Sequence, residues 1–303
     1  MMRRQMRALA VVSVVGCLAL LQASGPSLAS ARVAVSPAVA APAPVHAIPP
    51  RPDDAVAGSV FMRRLVGMPG AAREAAIVAE VVRGNIPEFL RSLKEVTLRG
   101  RVGGRATTAT VWVMPDYVAI GADRDFVRVP VDFYSAVEIA RAFGMAMPTR
   151  KMVDAIYSQS TLRLRPQPMT PGPSMTSTSY FLVHNERIET QRAGRARGAL
   201  TAGHKKDLVL TNRLFRQRTP RVAIYGWHRG IGDPIQPLST VHGATYADYS
   251  HGLRLIGGIV RVNGVDRPIV EALQDAQLGP LLTLEGTVRV PAELVAAAGA
   301  PTR

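Results

Sequence analysis

The amino-acid sequence predicts an α+β fold, with a mixed sheet and helices in one compact domain. Segments with helical spacing and segments of alternating apolar residues occur in blocks rather than in strict βαβ succession. Gly103-Gly104 and Asn263-Gly264 each lie between two alternating segments, as β-hairpin turns do. Apolar residues make up 47% of the 303 residues, so the chain can bury a sizeable core without disulfides.

The periodicity gives a location to each element. Helices are expected in four segments: 71–93 with a break at Gly84-Asn85, 132–144, 149–160 and 181–192. Asp132 and Thr149 are the predicted N-caps of the second and third. Strands are expected on both sides of Gly103-Gly104, after Pro115-Asp116, in 125–130 as a continuation of that sheet, in 207–211, in 221–228, and around Asn263-Gly264.

Residues 1–31 are predicted to be a secretory signal peptide. Three arginines precede an apolar run that is too short to span a bilayer, and small residues before Arg32 suit cleavage. Cys17 ends a Val-Val-Gly-Cys sequence that resembles the lipobox of bacterial lipoproteins, so a membrane-anchored lipoprotein is the alternative. Both interpretations predict an exported protein, either periplasmic or extracellular. Cys17 is the only cysteine, so the mature chain has no cysteine nucleophile.

Two proline-rich segments suggest how the mature chain is organised. Residues 32–58 are rich in alanine and proline and are interpreted as a semi-extended tether, of which 32–57 should be dispensable for folding. The α+β domain is expected to occupy residues 59–303. A second proline-rich segment, 165–179, is a candidate break between subdomains or a surface connector.

The predicted mature chain is strongly basic. Loss of the three signal-peptide arginines lowers the formal net charge from +15 to +12, which favours contact with a polyanion such as envelope polymer, anionic lipid or nucleic acid. Residues 182–229 alone contain eleven Lys or Arg against three acids. The alternative is a solvated, arginine-rich surface without a specific partner. Aromatic residues make up only 5% of the chain and no nucleic-acid-binding motif is present, which disfavours a nucleic-acid partner.

Five of the six histidines lie between residues 184 and 251, and two of them belong to the segment HGATYADYSHG (242–252). This segment ends a long stretch, 229–250, that is expected to be an ordered, functional loop. If residues 249–251 open a strand, Tyr249 and His251 face one side of it, whereas Asp248 and Ser250 face the other. His184 lies in a helical pattern and is interpreted as a structural histidine at a surface or an interface. We therefore expect the chemistry to concentrate where the remaining four histidines meet Asp248.

Three interpretations of this cluster stay open. In the first, His242, Asp248 and His228 bind Zn²⁺ and leave a position for an activated water, although the spacing is not a standard zinc motif. In the second, His251 is a metal-free general base held by Asp248 or Asp207, and Lys206, Arg254 or backbone N–H groups stabilise an anion. His204 is the further member of this catalytic set. Candidates for substrate binding are Tyr249, Ser250, Trp227 and Arg254. In the third, the histidines are structural.

Two resemblances accompany these patterns. The segments GHKKDLVLTNRL, VAIYGWH and YADYSHGLRLI are similar to those of a group of exported bacterial proteins without an assigned activity, which implies one module over about residues 60–290 but no mechanism. The run Ser239-Thr240-Val241-His242 with Asp248 loosely resembles the zinc-binding run of the peptidoglycan D-Ala-D-Ala metallopeptidases. The spacing differs from that family, and no Glu-x-x-His follows.

The sequence thus predicts an exported hydrolase that acts on an anionic envelope polymer such as peptidoglycan, with its histidines converging in one cleft. The alternatives are a non-catalytic, basic envelope-binding protein and a secreted phosphodiesterase. The histidines are catalytic in the hydrolase and structural in the envelope-binding protein.

Overall fold

The elements follow one another as in an α+β fold, which confirms the predicted fold class. The computed structural model describes residues 46–292; the predicted signal peptide, Cys17 and residues 32–45 of the predicted tether lie outside this range. The helices are α1 (Gly58–Arg64), α2 (Gly70–Val82), α3 (Phe133–Ala142), α4 (Arg150–Gln159), α5 (Thr178–Arg192), α6 (Ile269–Gln274) and α7 (Gly279–Leu282). The strands are β1 (Lys94–Val102), β2 (Arg105–Val113), β3 (Ala119–Ala122), β4 (Asp125–Arg128), β5 (Leu162–Arg163), β6 (Thr201–Ala202), β7 (Lys206–Leu208), β8 (Ile224–Gly230), β9 (Asp233–Ser239), β10 (His251–Gly252), β11 (Ile256–Val262) and β12 (Val265–Pro268).

Both predicted hairpins are present and pair with each other. β1 and β2 form an antiparallel hairpin around Gly103-Gly104, and β11 and β12 form one around Asn263-Gly264. β11 also pairs with β2, giving a sheet in the order β1-β2-β11-β12. Alternate residues of β1 and β2 are buried, and α4 and α7 pack on this sheet. One face of the sheet therefore belongs to the core, as period-two alternation requires.

The second four-stranded sheet, in the order β10-β7-β8-β9, carries most of the candidate site. β10 runs parallel to β7, so that His251 lies beside Lys206 and Gly252 beside Asp207. β9 pairs antiparallel with β8 and occupies residues that the sequence predicts to be loop. The alternation expected of a strand is obscured in β9 because most of its side chains are half-exposed and two of them are prolines.

The strand predicted in 125–130 does not continue the sheet that contains the β1–β2 hairpin. β4 pairs with β3 in a separate two-stranded sheet, and both strands pack against α1. The predicted helix caps are confirmed: Asp132 accepts a hydrogen bond from the backbone N–H of Ser135, and Thr149 accepts one from that of Met152. The four predicted helical segments are also confirmed, although the part after Pro87 is a single 3₁₀ turn.

The last part of the predicted tether packs on the domain, contrary to the expectation for residues 46–57. Ile48 is buried in the main core, and the backbone N–H of Ala47 donates to the carbonyl of Phe143. Arg91 donates two hydrogen bonds to the carbonyl of Pro49, and Nε2 of His46 lies 2.8 Å from the carbonyl of Arg91. A few anchoring contacts thus hold a segment whose composition alone indicates no folding.

The proline-rich segment 165–179 is not a boundary between compact units, because the chain on both sides belongs to one unit. It crosses the site instead. The backbone N–H of Met169 donates to the hydroxyl of Tyr249, and the carbonyl of Met175 accepts from the backbone N–H of Tyr249. Among residues 46–292, no helix is long and apolar enough to cross a membrane.

Candidate functional site

The segment 242–252 is held in its conformation by the carboxylate of Asp248. Oδ1 of Asp248 accepts hydrogen bonds from the backbone N–H of Ser250 at 2.7 Å and from its hydroxyl at 2.5 Å. Residues 249–250 form a turn, so the strand begins only at His251. Nε2 of His251 lies 3.7 Å from Oδ2 of Asp248. Asp248 and His251 therefore lie on the same side, and the prediction that they face opposite sides is wrong because residues 249–250 form a turn.

His251 is the innermost member of a group of rings. Its side chain is completely buried, and neither ring nitrogen has a hydrogen-bond partner. The rings of His242 and Tyr246 stack at a centroid distance of 4.1 Å, lie 6.2 Å and 5.7 Å from that of His251, and are only half-buried. The Tyr246 hydroxyl donates to Oδ2 of Asp248 at 3.2 Å. The stacked pair therefore lies between the Asp248–His251 pair and solvent.

The environment leaves both Asp248 and His251 deprotonated at neutral pH. Burial lowers the pKa of His251, so that its imidazole is neutral. Burial acts to raise the pKa of Asp248, but its proximity to His251 and its hydrogen bonds from Ser250 outweigh this effect and hold the pKa below its usual value. A neutral imidazole, the form that a general base requires, thus lies beside an ionised carboxylate whose charge opposes the effect of burial on the ring.

Lys206 and Trp227 form the adjoining wall of this site. Lys206 is the neighbour of His251 across the β7–β10 pair, and its Nζ lies 5.0 Å from the centroid of the Trp227 ring. Trp227 has a backbone φ of 55°, a strained value for a residue with a Cβ, and follows Gly226 with a φ of 105°. Nε1 of Trp227 is buried without a hydrogen-bond partner.

The positive φ angles of Gly226 and Trp227 in β8 direct the side chains of Trp227 and His228 to different neighbours. Nε2 of His228 lies 3.0 Å from Oδ1 of Asp154, and the hydroxyl of Tyr225 donates to the same oxygen at 2.8 Å. The ring of His228 also stacks on that of Tyr157 at 4.6 Å. Because the register shifts within β8, residues three apart reach one carboxylate while Trp227 contacts Lys206 and Tyr249.

The candidate zinc ligands are consequently divided. His242 and Asp248 lie in the ring cluster, whereas His228 belongs to the Asp154 cluster. Within the described range of 46–292, no three His, Cys, Asp or Glu side chains are grouped so that they could hold a metal ion. Zinc binding remains a prediction for metal analysis.

His204 lies in a third cluster, centred on Asp116. Oδ1 of Asp116 is 3.0 Å from Nε2 of His204, and its carboxylate accepts hydrogen bonds from the guanidinium groups of Arg128 and Arg192. All four side chains are at most 2% exposed. Burial lowers the pKa of His204 to about 4 despite the opposing effect of Asp116. This enclosed ion network has the character of a structural core.

Asp207 and Arg254 form a further buried group with Tyr117, whose ring lies 4.9 Å from that of His204. The Tyr117 hydroxyl donates to Oδ2 of Asp207 at 2.9 Å, and Nε of Arg254 is 3.8 Å from Oδ1 of Asp207. Burial raises the pKa of Asp207 to about 6. The guanidinium of Arg254 donates to two backbone carbonyls and is completely buried. The predicted catalytic and binding residues are thus distributed over these three clusters and the Asp207–Arg254 group rather than one cleft.

Several important side chains carry little signal in the sequence. Asp116, Asp154 and Tyr246 have no motif around them, and only their acidic or phenolic chemistry marks them. Lys205 is completely buried, and its Nζ donates to the carbonyl of Tyr249 at 2.6 Å, while Lys206 is half-buried. His184 is also completely buried and packs against the ring of Tyr249. Alternation along an extended chain would place one of these two consecutive lysines inside without saying which.

Comparison with known proteins gives no family for this chain. It matches no protein-family model, no curated protein and no solved structure. The geometry of the described residues therefore carries the functional assignment.

Proposed function

We propose that the protein is an exported hydrolase that acts on an anionic polymer of the cell envelope, with the Asp248–His251 pair as its acid–base group. The observation that carries this proposal is the buried imidazole of His251, which has two unpartnered ring nitrogens beside an ionised carboxylate. A buried polar group without partners costs free energy of about 1–3 kcal/mol. Such a cost is common where a group must stay available to a reactant.

The pair supports a metal-free hydrolytic step. Once the half-exposed His242–Tyr246 pair is displaced by substrate, a water molecule can reach His251. The neutral imidazole takes one proton from this water as its oxygen attacks the scissile bond, and Asp248 stabilises the resulting imidazolium. The same proton then passes to the leaving group, so that one water is consumed and His251 returns to its neutral form. The ammonium of Lys206 is placed to stabilise negative charge that develops on the substrate.

The charge distribution supports an anionic substrate. Seven basic side chains of the segment 182–229 are exposed: Arg187, Arg195, Arg197, Arg213, Arg216, Arg218 and Arg229. Such an excess raises the local concentration of polyanions near the surface. Few aromatic side chains within residues 46–292 are exposed and able to form a stacking platform for nucleic acid. The phosphodiesterase alternative is therefore less well supported than the envelope hydrolase.

The test compares His251→Gln with the wild type on purified cell-wall material, with release of soluble fragments followed by mass spectrometry. We expect a loss of roughly 100-fold or more in rate, because the general base is removed. His184→Gln is the matched control, since His184 is equally buried with both ring nitrogens unpartnered but lies outside the proposed step. Activity is normalised to the folded fraction, and equal activity of the two variants would contradict the proposal.

The non-catalytic alternative is favoured by the same exposed arginines. In that case the wild type would bind the polymer with a strong salt dependence but release no fragments, and His251→Gln would bind it equally well.

Metal analysis of untagged protein tests the predicted zinc site in the same experiment. Stoichiometric zinc that is lost in His242→Ala would assign the hydrolysis to a metal site instead.

A further inference from the structure

A pocket of about 390 Å³ lies next to the proposed site and shares Tyr246 with it. Three chain segments form the pocket: residues 67–73 before and within α2, residues 176–178 at the start of α5, and residues 245–247. The third segment lies directly between His242 and Asp248. A ligand in this pocket would therefore contact the edge of the His242–Tyr246 pair.

Two long helices begin at the pocket. α2 has 13 residues and starts at Gly70, and α5 has 15 residues and starts at Thr178. Neither has an acidic residue in its first turn, and Pro69 gives α2 no side-chain cap. In α5 the hydroxyl of Ser177 accepts from the backbone N–H of Tyr180, so the N–H groups of Thr178 and Ser179 are the ones available there. The first N–H groups of a helix have no intrahelical acceptor and carry the positive end of its dipole, so both helices favour an anion here.

The side chain of Arg73 provides a second, independent indication of an anionic ligand. It lines the pocket, is only 8% exposed, and its Nε is buried without a hydrogen-bond partner. Its Nη1 donates to the carbonyl of Thr176, and its guanidinium lies over the ring of Phe181, which fixes its position between α2 and α5. Glu74 is the nearest acid: its Oε1, which has no hydrogen-bond partner, lies 3.8 Å from Nη2, whereas its Oε2 accepts from the backbone N–H of Asp132.

We propose that this pocket binds a phosphate group, held by the N-termini of α2 and α5 and by Arg73. Its role as the subsite that positions a phosphate-bearing polymer beside His251 rests on the proposed function, whereas phosphate binding itself does not. Phosphate suits the pocket because converging backbone N–H groups and a fixed guanidinium satisfy several of its oxygens at once.

The experiment measures binding of inorganic phosphate to the whole protein by titration calorimetry. Thr245→Glu places a carboxylate in the pocket at an exposed position and should weaken binding by about tenfold or more, the loss expected when a charge-assisted contact is replaced by repulsion. Thr161→Glu is the matched control, because Thr161 is also exposed and lies outside the pocket, and it should bind phosphate as the wild type does. Arg73→Gln should weaken binding by a similar factor, with its folding checked by circular dichroism.

Equal phosphate affinity of the wild type, Thr245→Glu and Thr161→Glu would overturn the proposal, as would a wild type that binds no phosphate. A parallel titration with an oligomer of phosphodiester-linked glycerol distinguishes free phosphate from a polymer as the source of the group. The His251→Gln variant separates this proposal from the proposed function. If the His251→Gln variant binds phosphate as the wild type does and the wild type shows no hydrolysis, the phosphate site is supported and the proposed hydrolase function is contradicted. Hydrolysis by a wild type that binds no phosphate would instead support the hydrolase and overturn the phosphate site.

Discussion

The ring of Tyr117 packs directly on the backbone of Gly252: a Cβ added at Gly252 would lie 2.6 Å from a ring carbon of Tyr117. The glycine after His251 is therefore required by a close approach and not by its backbone angle. Gly252→Ala should displace Tyr117 or β10 and lower the free energy of unfolding by about 1–3 kcal/mol. Gly243→Ala is the control, because a Cβ there meets nothing within 4 Å. Equal thermal midpoints for the two variants would show that the contact is unimportant.

The Asp116 network predicts a large effect of a single isosteric change. Asp116→Asn keeps the shape of the side chain but leaves the buried guanidinium groups of Arg128 and Arg192 with only the partly exposed carboxylate of Glu189. We expect a loss of about 3–5 kcal/mol in the free energy of unfolding, as for other broken buried ion pairs. The exposed pair Arg229–Asp233 provides the comparison, and Asp233→Asn should change the urea midpoint little. A stable Asp116→Asn protein would contradict the structural role of the network.

Lys205 should make stability depend on pH in the alkaline range. Burial lowers its pKa from 10.5 to about 7 in the folded protein. Between these values the unfolded chain binds a proton that the folded chain does not, so the folded state loses stability as pH falls from about 10.5 to about 7. The loss should approach about 1.4 kcal/mol per pH unit. Denaturant midpoints measured across this range should show a weaker slope for Lys205→Met, whereas Lys94→Met on β1 should retain the wild-type slope.

Ile48 tests whether residues 46–57 belong to the folded domain. Its side chain is buried in the main core, so Ile48→Ala should cost about 2–4 kcal/mol through lost burial and the cavity left behind. Val241→Ala is the control, because Val241 is 75% exposed. Chemical denaturation of both variants measures the difference. A midpoint for Ile48→Ala equal to that of the control would restore the interpretation of these residues as a dispensable tether.

The sequence is most informative where structure is local. Hairpin turns at Gly103-Gly104 and Asn263-Gly264 and the caps Asp132 and Thr149 depend on residues within a few positions of one another, and all four predictions are confirmed. The distribution of the histidines over three clusters depends instead on distant partners. Asp116 and Asp154 lie 88 and 74 residues from the histidines that they contact.

The packing of residues 46–57 on the domain and the identity of the inward-facing lysine also depend on distant contacts. Ile48 is buried by residues far along the chain, and Lys205 faces inward where its Nζ donates to the carbonyl of Tyr249, 44 residues away. The conformation of Trp227 is a different case. No residue pattern predicts a positive φ at Trp227, because the preceding glycine is compatible with many backbone conformations.

The bulge that directs Trp227 toward Lys206 also makes the site optically observable. The chain has two tryptophans, and the other one, Trp112, is buried in β2. In a Trp112→Phe background, the fluorescence of the protein would arise from one indole that touches Lys206 and Tyr249. Any ligand that moves the lysine or hydrogen-bonds Nε1 would change the emission of that indole. Occupancy of the site could then be followed in real time, before any substrate is identified and without a chemical label.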